Sequence, residues 1–419
     1  MDTTIKQGIS KEQAIAYENK YGAHNYHPLP VVLTKGKGVY VWDVDGKKYF
    51  DFLSAYSAVN QGHSHPKIVK ALSEQAQRLA LTSRAFYNDK LGVYEKFATE
   101  YFGFDKLLPM NSGAEAVETA IKLARKWAYE NKGIPENKAN IIVAEGNFHG
   151  RTTTIISFSN DPEARDNFGP YTPGFTKIPY DDLNALEEAI KANPETIAFL
   201  VEPIQGEAGV YVPSEGYLKG AKAICEKYGC LFIADEVQTG IARTGKLLAV
   251  QHEDVTPDIL ILGKAMSGGV YPVSAVLAND DIMLAIKPGQ HGSTFGGNPI
   301  AANVAIAALS VIRDENLAEN AEKMGKIFRS ELQKVVDSSK FVKQVRGKGL
   351  LNAVVIDDTE ESETAWNICL KLADKGLLAK PTHGNIIRFA PPLVITEEQL
   401  YEAVDIIKKS IAEYEQENL

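Results

Sequence analysis

Two apolar runs in this chain stop at residues able to carry charge. Leu231-Phe232-Ile233-Ala234 runs into Asp235-Glu236-Val237-Gln238, and Ile259-Leu260-Ile261-Leu262-Gly263 runs into Lys264, with Ala265-Met266-Ser267-Gly268-Gly269 behind it. Short continuous apolar runs read as strands of a parallel sheet buried on both faces. Open parallel sheets bind their ligands at the carboxyl ends of such strands. Asp235 and Lys264 are separated by about one helix-plus-strand unit, so they suit neighbouring strands ending on one edge. A lone carboxylate or ammonium there suffers a desolvation penalty of several kcal/mol, and each needs a partner. A simple Asp–Lys ion pair meets that need as well as a ligand does.

A third feature favours the ligand. Leu107-Leu108-Pro109-Met110 leads into Asn111-Ser112-Gly113-Ala114-Glu115-Ala116 and then a helical pattern to Trp127. Small residues with free backbone N–H groups at a helix start make an anion site. Ser112 with Glu115 three residues on also spells a capping box, which by itself accounts for the serine. An anion site, a strand-end carboxylate and a strand-end lysine together meet the demands of pyridoxal 5'-phosphate. Its phosphate docks on a helix N-terminus, its pyridinium nitrogen pairs with a carboxylate, and its aldehyde condenses with a lysine.

The elements that must hold these residues follow from the hydrophobic pattern. Val39–Trp42 and Lys48–Phe50 flank Asp45-Gly46, a hairpin signal. From about residue 60 helices alternate with short apolar strands, the clearest being Ile141–Val143, Ile197–Val201, Leu231–Ala234 and Ile259–Leu262. The helical stretches between them include 116–127, 182–191 and 217–227. This alternation predicts a parallel sheet with helices on both faces. A long helical stretch is expected from Pro299 to about Val335, then strands near 350–356 and 386–389 and helices near 362–374 and 397–415. The expected organisation is a large α/β domain over 59–310 and a smaller α+β domain from both chain ends, 1–58 and 311–419.

The chain has 419 residues, 44% hydrophobic and 24% charged, with a net charge of −9. That balance is the ordinary globular one, and the acidic excess argues against nucleic acid. The three cysteines, Cys225, Cys230 and Cys369, form no CxxC pair and read as buried thiols of a reducing compartment. No run approaches the ~18 apolar residues of a membrane span. Met1–Tyr21 reads as a polar helix and not as a signal or transit peptide, so the expected location is the cytoplasm.

Several stretches resemble the class III, fold-type-I aminotransferases. They include Gly62–Pro66 (GHSHP), Asn147–Thr152 (NFHGRT), Glu202–Gly209 (EPIQGEAG) and His291–Pro299 (HGSTFGGNP), beside the Asp235 and Lys264 segments. The resemblance spans about residues 20 to 412, with no departure at a family catalytic position. It implies a mostly parallel seven-stranded sheet between helices, pyridoxal phosphate as cofactor, and a homodimer with shared active sites. Tyr21–Pro28, Leu53–Ser57 and Gly376–Val394 are similar to family members that move the δ-amino group of ornithine to 2-oxoglutarate.

Carried over residue by residue, the resemblance makes Lys264 the lysine that condenses with the aldehyde and later moves the substrate proton. Asp235 keeps the ring nitrogen protonated, and Phe148 stacks on the ring. Gln238 meets the ring hydroxyl oxygen. Ser112, Gly113 and Ala114 hold the phosphate, joined by Ser293 and by Thr294 from across a dimer interface. Arg151 and Arg388 take substrate carboxylates, for which guanidinium forks are suited. Glu207 masks Arg388 while ornithine is bound, and Tyr26 and Tyr56 orient ornithine. Alternatives are N-acetylornithine or 4-aminobutyrate as the amine, and a non-enzymatic interaction protein on the same fold.

Two other patterns are set aside. Gly240–Leu247 nearly spells a nucleotide phosphate loop, but Leu247 stands where Mg²⁺ binding needs Ser or Thr. The pairs His63/His65 and His24/His27 lack a complementary cluster at ligand spacing, so no metal is expected.

Overall fold

The computed structural model of the chain describes residues 8–418. Its centre is a seven-stranded sheet: β1 (Lys106–Met110), β2 (Asn140–Ala144), β3 (Phe175–Ile178), β4 (Thr196–Val201), β5 (Leu231–Asp235), β6 (Ile259–Leu262) and β7 (Ser274–Ala278). The strand order is β1-β7-β6-β5-β4-β2-β3. β7 runs antiparallel to β1 and β6, and the other neighbours are parallel. The expected mostly parallel seven-stranded sheet is present.

The apolar runs have no alternation because both faces of the sheet are covered. Phe199, Val201, Phe232, Ala234, Leu260 and Leu262 point into one core. Ala198, Leu200, Leu231, Ile233, Ile259 and Ile261 point into the other. Helices α1 (Gly113–Asn131), α2 (Leu183–Ala192) and α3 (Tyr217–Tyr228) lie in the crossovers. Asp182 caps α2, accepting from the Ala185 amide, while Gly229 at φ 64 ends α3.

The strand β1 contains Pro109, whose missing donor is tolerated because β1 is an edge strand bonded only to β7. The opposite edge strand, β3, is short and half-exposed.

The chain ends meet in a second sheet. Leu33–Lys37, Tyr40–Asp43 and Lys48–Asp51 form an antiparallel run, and Leu377–Leu378 joins it parallel to the last strand, opposite Phe50 and Asp51. The Asp45-Gly46 turn lies where it was expected, with Gly46 at φ 86 and the Asp43 carboxylate accepting from the Asp45 and Lys47 amides. A third, four-stranded sheet holds Val342–Lys348, Leu351–Ile356, Ile386–Phe389 and Lys380–Thr382 in that order. Helices Thr364–Asp374 and Glu397–Asn418 pack on one another beside it.

The helical stretch expected from Pro299 to about Val335 is made of two helices, α4 (Pro299–Asp314) and α5 (Leu317–Val336). The chain breaks at Asn316, which takes a left-handed φ of 50, a conformation asparagine tolerates better than most residues. The N-terminal polar stretch holds a helix at Lys11–Tyr21 with a Ser10–Gln13 capping box; the rest of that expectation, residues 1–7, lies outside the described residues. Among those described, no helix is long and apolar enough to cross a membrane.

Arg243, in the segment after β5, is fully buried. Its guanidinium donates to Asn60 Oδ1 at 2.6 and 3.2 Å, to the Leu350 carbonyl at 2.9 Å and to the Pro391 carbonyl at 2.7 Å.

Candidate active site

Three strands end at one cavity. Glu202 follows β4, Asp235 closes β5 and Lys264 follows β6; all three line it. Parallel pairing of β5 with β6 sets Asp235 opposite Ile261, so the carboxylate and the lysine leave the sheet on the same edge. Lys264 leaves its strand with a left-handed φ of 44, a strain of about 1–3 kcal/mol for a residue with a side chain. The remaining wall comes from the start of α1 (Gly113, Ala114), the loop after β2 (Phe148, His149, Gly150), and Ile204, Val237, Gln238 and Thr239.

At the α1 end, the Ser112 hydroxyl accepts from the Glu115 amide at 3.2 Å, and the Glu115 carboxylate accepts from the Asn111 and Ser112 amides at 2.8 and 2.9 Å. Ser112 is therefore a cap. Its side chain is not among those lining the cavity. The amides of Gly113 and Ala114 have no acceptor among the described residues, because the capping box satisfies only its own two positions. Two free N–H groups at the positive end of a 19-residue helix fit a phosphate.

At the β5 end, Asp235 Oδ2 lies 2.7 Å from His149 Nδ1, and Oδ1 accepts from the Val237 amide at 3.0 Å. An ionised carboxylate only accepts, so the imidazole donates. Burial opposes charge on His149, but the hydrogen bond and charge of Asp235, with Glu202 beside it, raise its pKa overall. Burial pushes the Glu202 carboxyl up to about 7, against the opposing pull of His149 and of the Phe148 and Gly206 amides that it accepts from.

Lys264 is drawn below its usual pKa, first by burial and then by Arg388, with Glu207 and Asp235 pulling the other way. Its Nζ lies 6.0 Å from the centre of the Tyr56 ring. Arg388, nearly buried in the strand Ile386–Phe389, has its Cζ 4.9 Å from the same ring. Arg388 Nη1 donates to Glu207 Oε1 at 2.9 Å, to the Gly206 carbonyl at 3.2 Å and to Gln238 Oε1 at 3.4 Å. Burial works against the Glu207 carboxylate, yet Arg388 and Lys264 hold its pKa down.

Tyr56 stands on a turn, Ser54–Ser57, whose four residues all have positive φ from 45 to 76. Burial raises its phenol pKa; Arg388, Glu207, Tyr26 and Arg151 are the charges that act on it. Tyr26 is 70% exposed. Arg151 is exposed too, its Cζ 5.9 Å from the Phe148 ring.

The structure thus brings Gly113, Ala114, Phe148, Asp235, Gln238 and Lys264 into one cavity, with Glu207, Arg388 and Tyr56 adjoining. Within its own chain it leaves Ser293 and Thr294 off the cavity wall. Ser293 accepts from Asn111 Nδ2 at 2.8 Å, and Thr294 is exposed. Two titratable lining residues had no role assigned from the sequence, Glu202 and His149. The strand-end rule that singled out Asp235 applies equally to Glu202 after Ile197–Val201. Among the described residues no group of three or more His, Cys, Asp or Glu is placed to hold a metal.

Comparison with known proteins agrees with this geometry. The family described as Aminotransferase class-III matches residues 21–411. A protein of Drosophila ananassae named ornithine aminotransferase, mitochondrial, is 65% identical over 96% of this chain and 92% of its own. The ornithine aminotransferase structure from Toxoplasma gondii ME49 aligns with a TM-score of 0.96 at 49% identity, covering 98% of this chain and 97% of that one. A crystal structure named acetylornithine aminotransferase, from Elizabethkingia anophelis, has a TM-score of 0.90 at 65% identity, covering 97% and 100%. A family match over nearly the whole length, and relatives this similar, place the chain among the class-III aminotransferases.

Proposed function

We propose that this chain transfers the δ-amino group of L-ornithine to 2-oxoglutarate, giving L-glutamate and glutamate 5-semialdehyde, which cyclises to pyrroline-5-carboxylate. The observation that carries this reading is the Glu207–Arg388 pair, 2.9 Å apart beside the lysine-bearing cavity. One substrate brings a second carboxylate and the other a cationic amine. A cation that can be covered or uncovered serves both.

Pyridoxal 5'-phosphate, the cofactor of class-III aminotransferases, supplies an aldehyde that takes up an amine and a ring that accepts the electron pair left by a departing proton. The cavity fits it: two unclaimed amides at the start of α1, a carboxylate at β5 and an amine at Lys264. In this reading Gly113 and Ala114 hold the phosphate, and Asp235 holds the ring nitrogen in its charged form, an interaction worth most when negative charge builds up on the ring. Phe148 would stack on the ring face and Gln238 would meet the ring hydroxyl oxygen, both being part of the cavity lining. Lys264 moves the proton at its Nζ, helped by a pKa held below the usual lysine range. Ser293 joins the phosphate site, and Thr294 reaches it from a second copy of the chain in a homodimer.

With ornithine, Glu207 neutralises Arg388 and Arg151 takes the α-carboxylate at the far end, while Tyr26 and Tyr56 orient the chain. With 2-oxoglutarate, Arg388 leaves Glu207 for the α-carboxylate and Arg151 holds the γ-carboxylate. For the compartment our reading is the cytoplasm, supported by three buried free cysteines; the Drosophila and rat relatives carry "mitochondrial" in their names and the Emericella nidulans one does not.

The test is to mix purified protein with ornithine and 2-oxoglutarate and trap pyrroline-5-carboxylate chemically; no trapped product overturns the reading. A second reading, N-acetylornithine as the amine, is favoured by the name of the Elizabethkingia anophelis structure. Initial rates on ornithine, N-acetylornithine and 4-aminobutyrate separate the two.

A further inference from the structure

His149 and Glu202 are buried titratable groups of the cavity that the proposed chemistry leaves without a task, and of the two it is His149 that contacts Asp235. The His149 side chain is wholly buried, and its Nε2 finds no partner among the described residues. The one hydrogen bond of the ring goes from Nδ1 to Asp235 Oδ2 at 2.7 Å. The imidazole edge also rests near the Phe158 ring, with centroids 6.0 Å apart. The titratable groups facing it are Asp235 and Glu202. Asp235 is thereby held at both oxygens, by His149 and by the Val237 amide, which leaves its carboxylate plane no freedom to turn.

We propose that His149 is a positioning residue for Asp235: its Nδ1–H fixes the carboxylate that meets the ring nitrogen of pyridoxal phosphate, and so sets how tightly the cofactor is held and over what pH range that nitrogen keeps its proton. This rests on the reading of Asp235 given above. A hydrogen bond to a charged acceptor in a dry site is among the stronger ones, and losing it leaves Asp235 Oδ2 buried without a donor.

The test compares wild type, His149→Phe, His149→Asn and Asp235→Asn. Each apoprotein is titrated with pyridoxal 5'-phosphate, and the absorption of the bound cofactor is followed across pH. His149→Asn sets an amide N–H about where Nδ1 was; His149→Phe has no donor. Binding weakens about tenfold or more in His149→Phe, with a shifted pH dependence of the absorption, and recovers most of the way in His149→Asn. If Asp235→Asn weakens binding while His149→Phe matches wild type in both readouts, the proposal is overturned and the Asp235 reading stands. If Asp235→Asn also binds as wild type does, both fall. Thermal unfolding of the apoproteins checks the fold, and His149→Leu replaces His149→Phe if the larger ring does not fold.

Discussion

Arg388 Nη1 and Gln238 Nε2 converge on a single oxygen, Glu207 Oε1, at 2.9 and 3.2 Å. The guanidinium side chain is 5% exposed, so without the glutamate its charge stands almost uncompensated. Glu207→Ala exposes that charge to whatever carboxylate enters. The ratio of initial rates, an α-amine donor such as glutamate over ornithine, is expected to rise about tenfold or more, a change of ~1.4 kcal/mol that one buried charged contact readily supplies. An unchanged ratio refutes the mask.

Lys264→Ala removes the amine while leaving Asp235 and the α1 amides in place. Turnover is expected to fall by at least the ~10²–10⁴-fold that a positioned base contributes. Cofactor that still binds is expected to leave on dialysis, with nothing covalent retaining it. Full turnover in this variant removes the assignment of Lys264.

A Cβ on Gly325 would lie 1.9 Å from the carbonyl oxygen of Gly349, a backbone atom that cannot step aside. Helix propensity favours alanine over glycine by about 1 kcal/mol, but overpacking against backbone costs about 3 kcal/mol. Gly325→Ala therefore destabilises the chain, and a lowered denaturant midpoint shows it. Stabilisation would mean that α5 can move off the Gly349 turn.

Burial pushes Glu236 up to about 7 from its ordinary 4.5, although Thr239 and the Val250 amide donate to it. Below pH 4.5 both folded and unfolded chains are protonated at this site. As pH rises from there to 7, the unfolded chain ionises first and gains on the folded one. Glu236→Gln abolishes that drift. Its stability relative to wild type is expected to improve by about 3 kcal/mol between pH 4.5 and 7 and to stay level above, on a scale of ~1.4 kcal/mol per pKa unit. Urea unfolding at four or five pH values measures it, and a flat difference contradicts it.

The strands legible in the sequence are those with two buried faces, since β5, β6 and all of β4 after Thr196 are apolar up to the charged residue that ends or follows each strand. That pattern also marks where each strand ends, which is how Asp235 and Lys264 stood out. Edge strands carry less of it. β3 has Thr176 and Lys177 within four residues, and β1 has a proline. The Ser54–Ser57 turn is hidden for another reason: left-handed backbone is ordinarily marked by glycine, and this turn has none. His149 escaped because its partner, Asp235, lies 86 positions away and no local spacing joins them.

Four hydrogen bonds leave the one planar guanidinium of Arg243 for Asn60, Leu350 and Pro391. A rigid fork cannot follow three segments moving in different directions. The stretch preceding the large sheet, the loop after β5 and the turns at Leu350 and Pro391 are therefore locked in mutual register or released all at once. Peeling the terminal region away while the catalytic sheet stays intact would strand a bare cation in the core. Thermal denaturation of the chain is accordingly expected to run as one cooperative event, with no halfway form for a protease to cut.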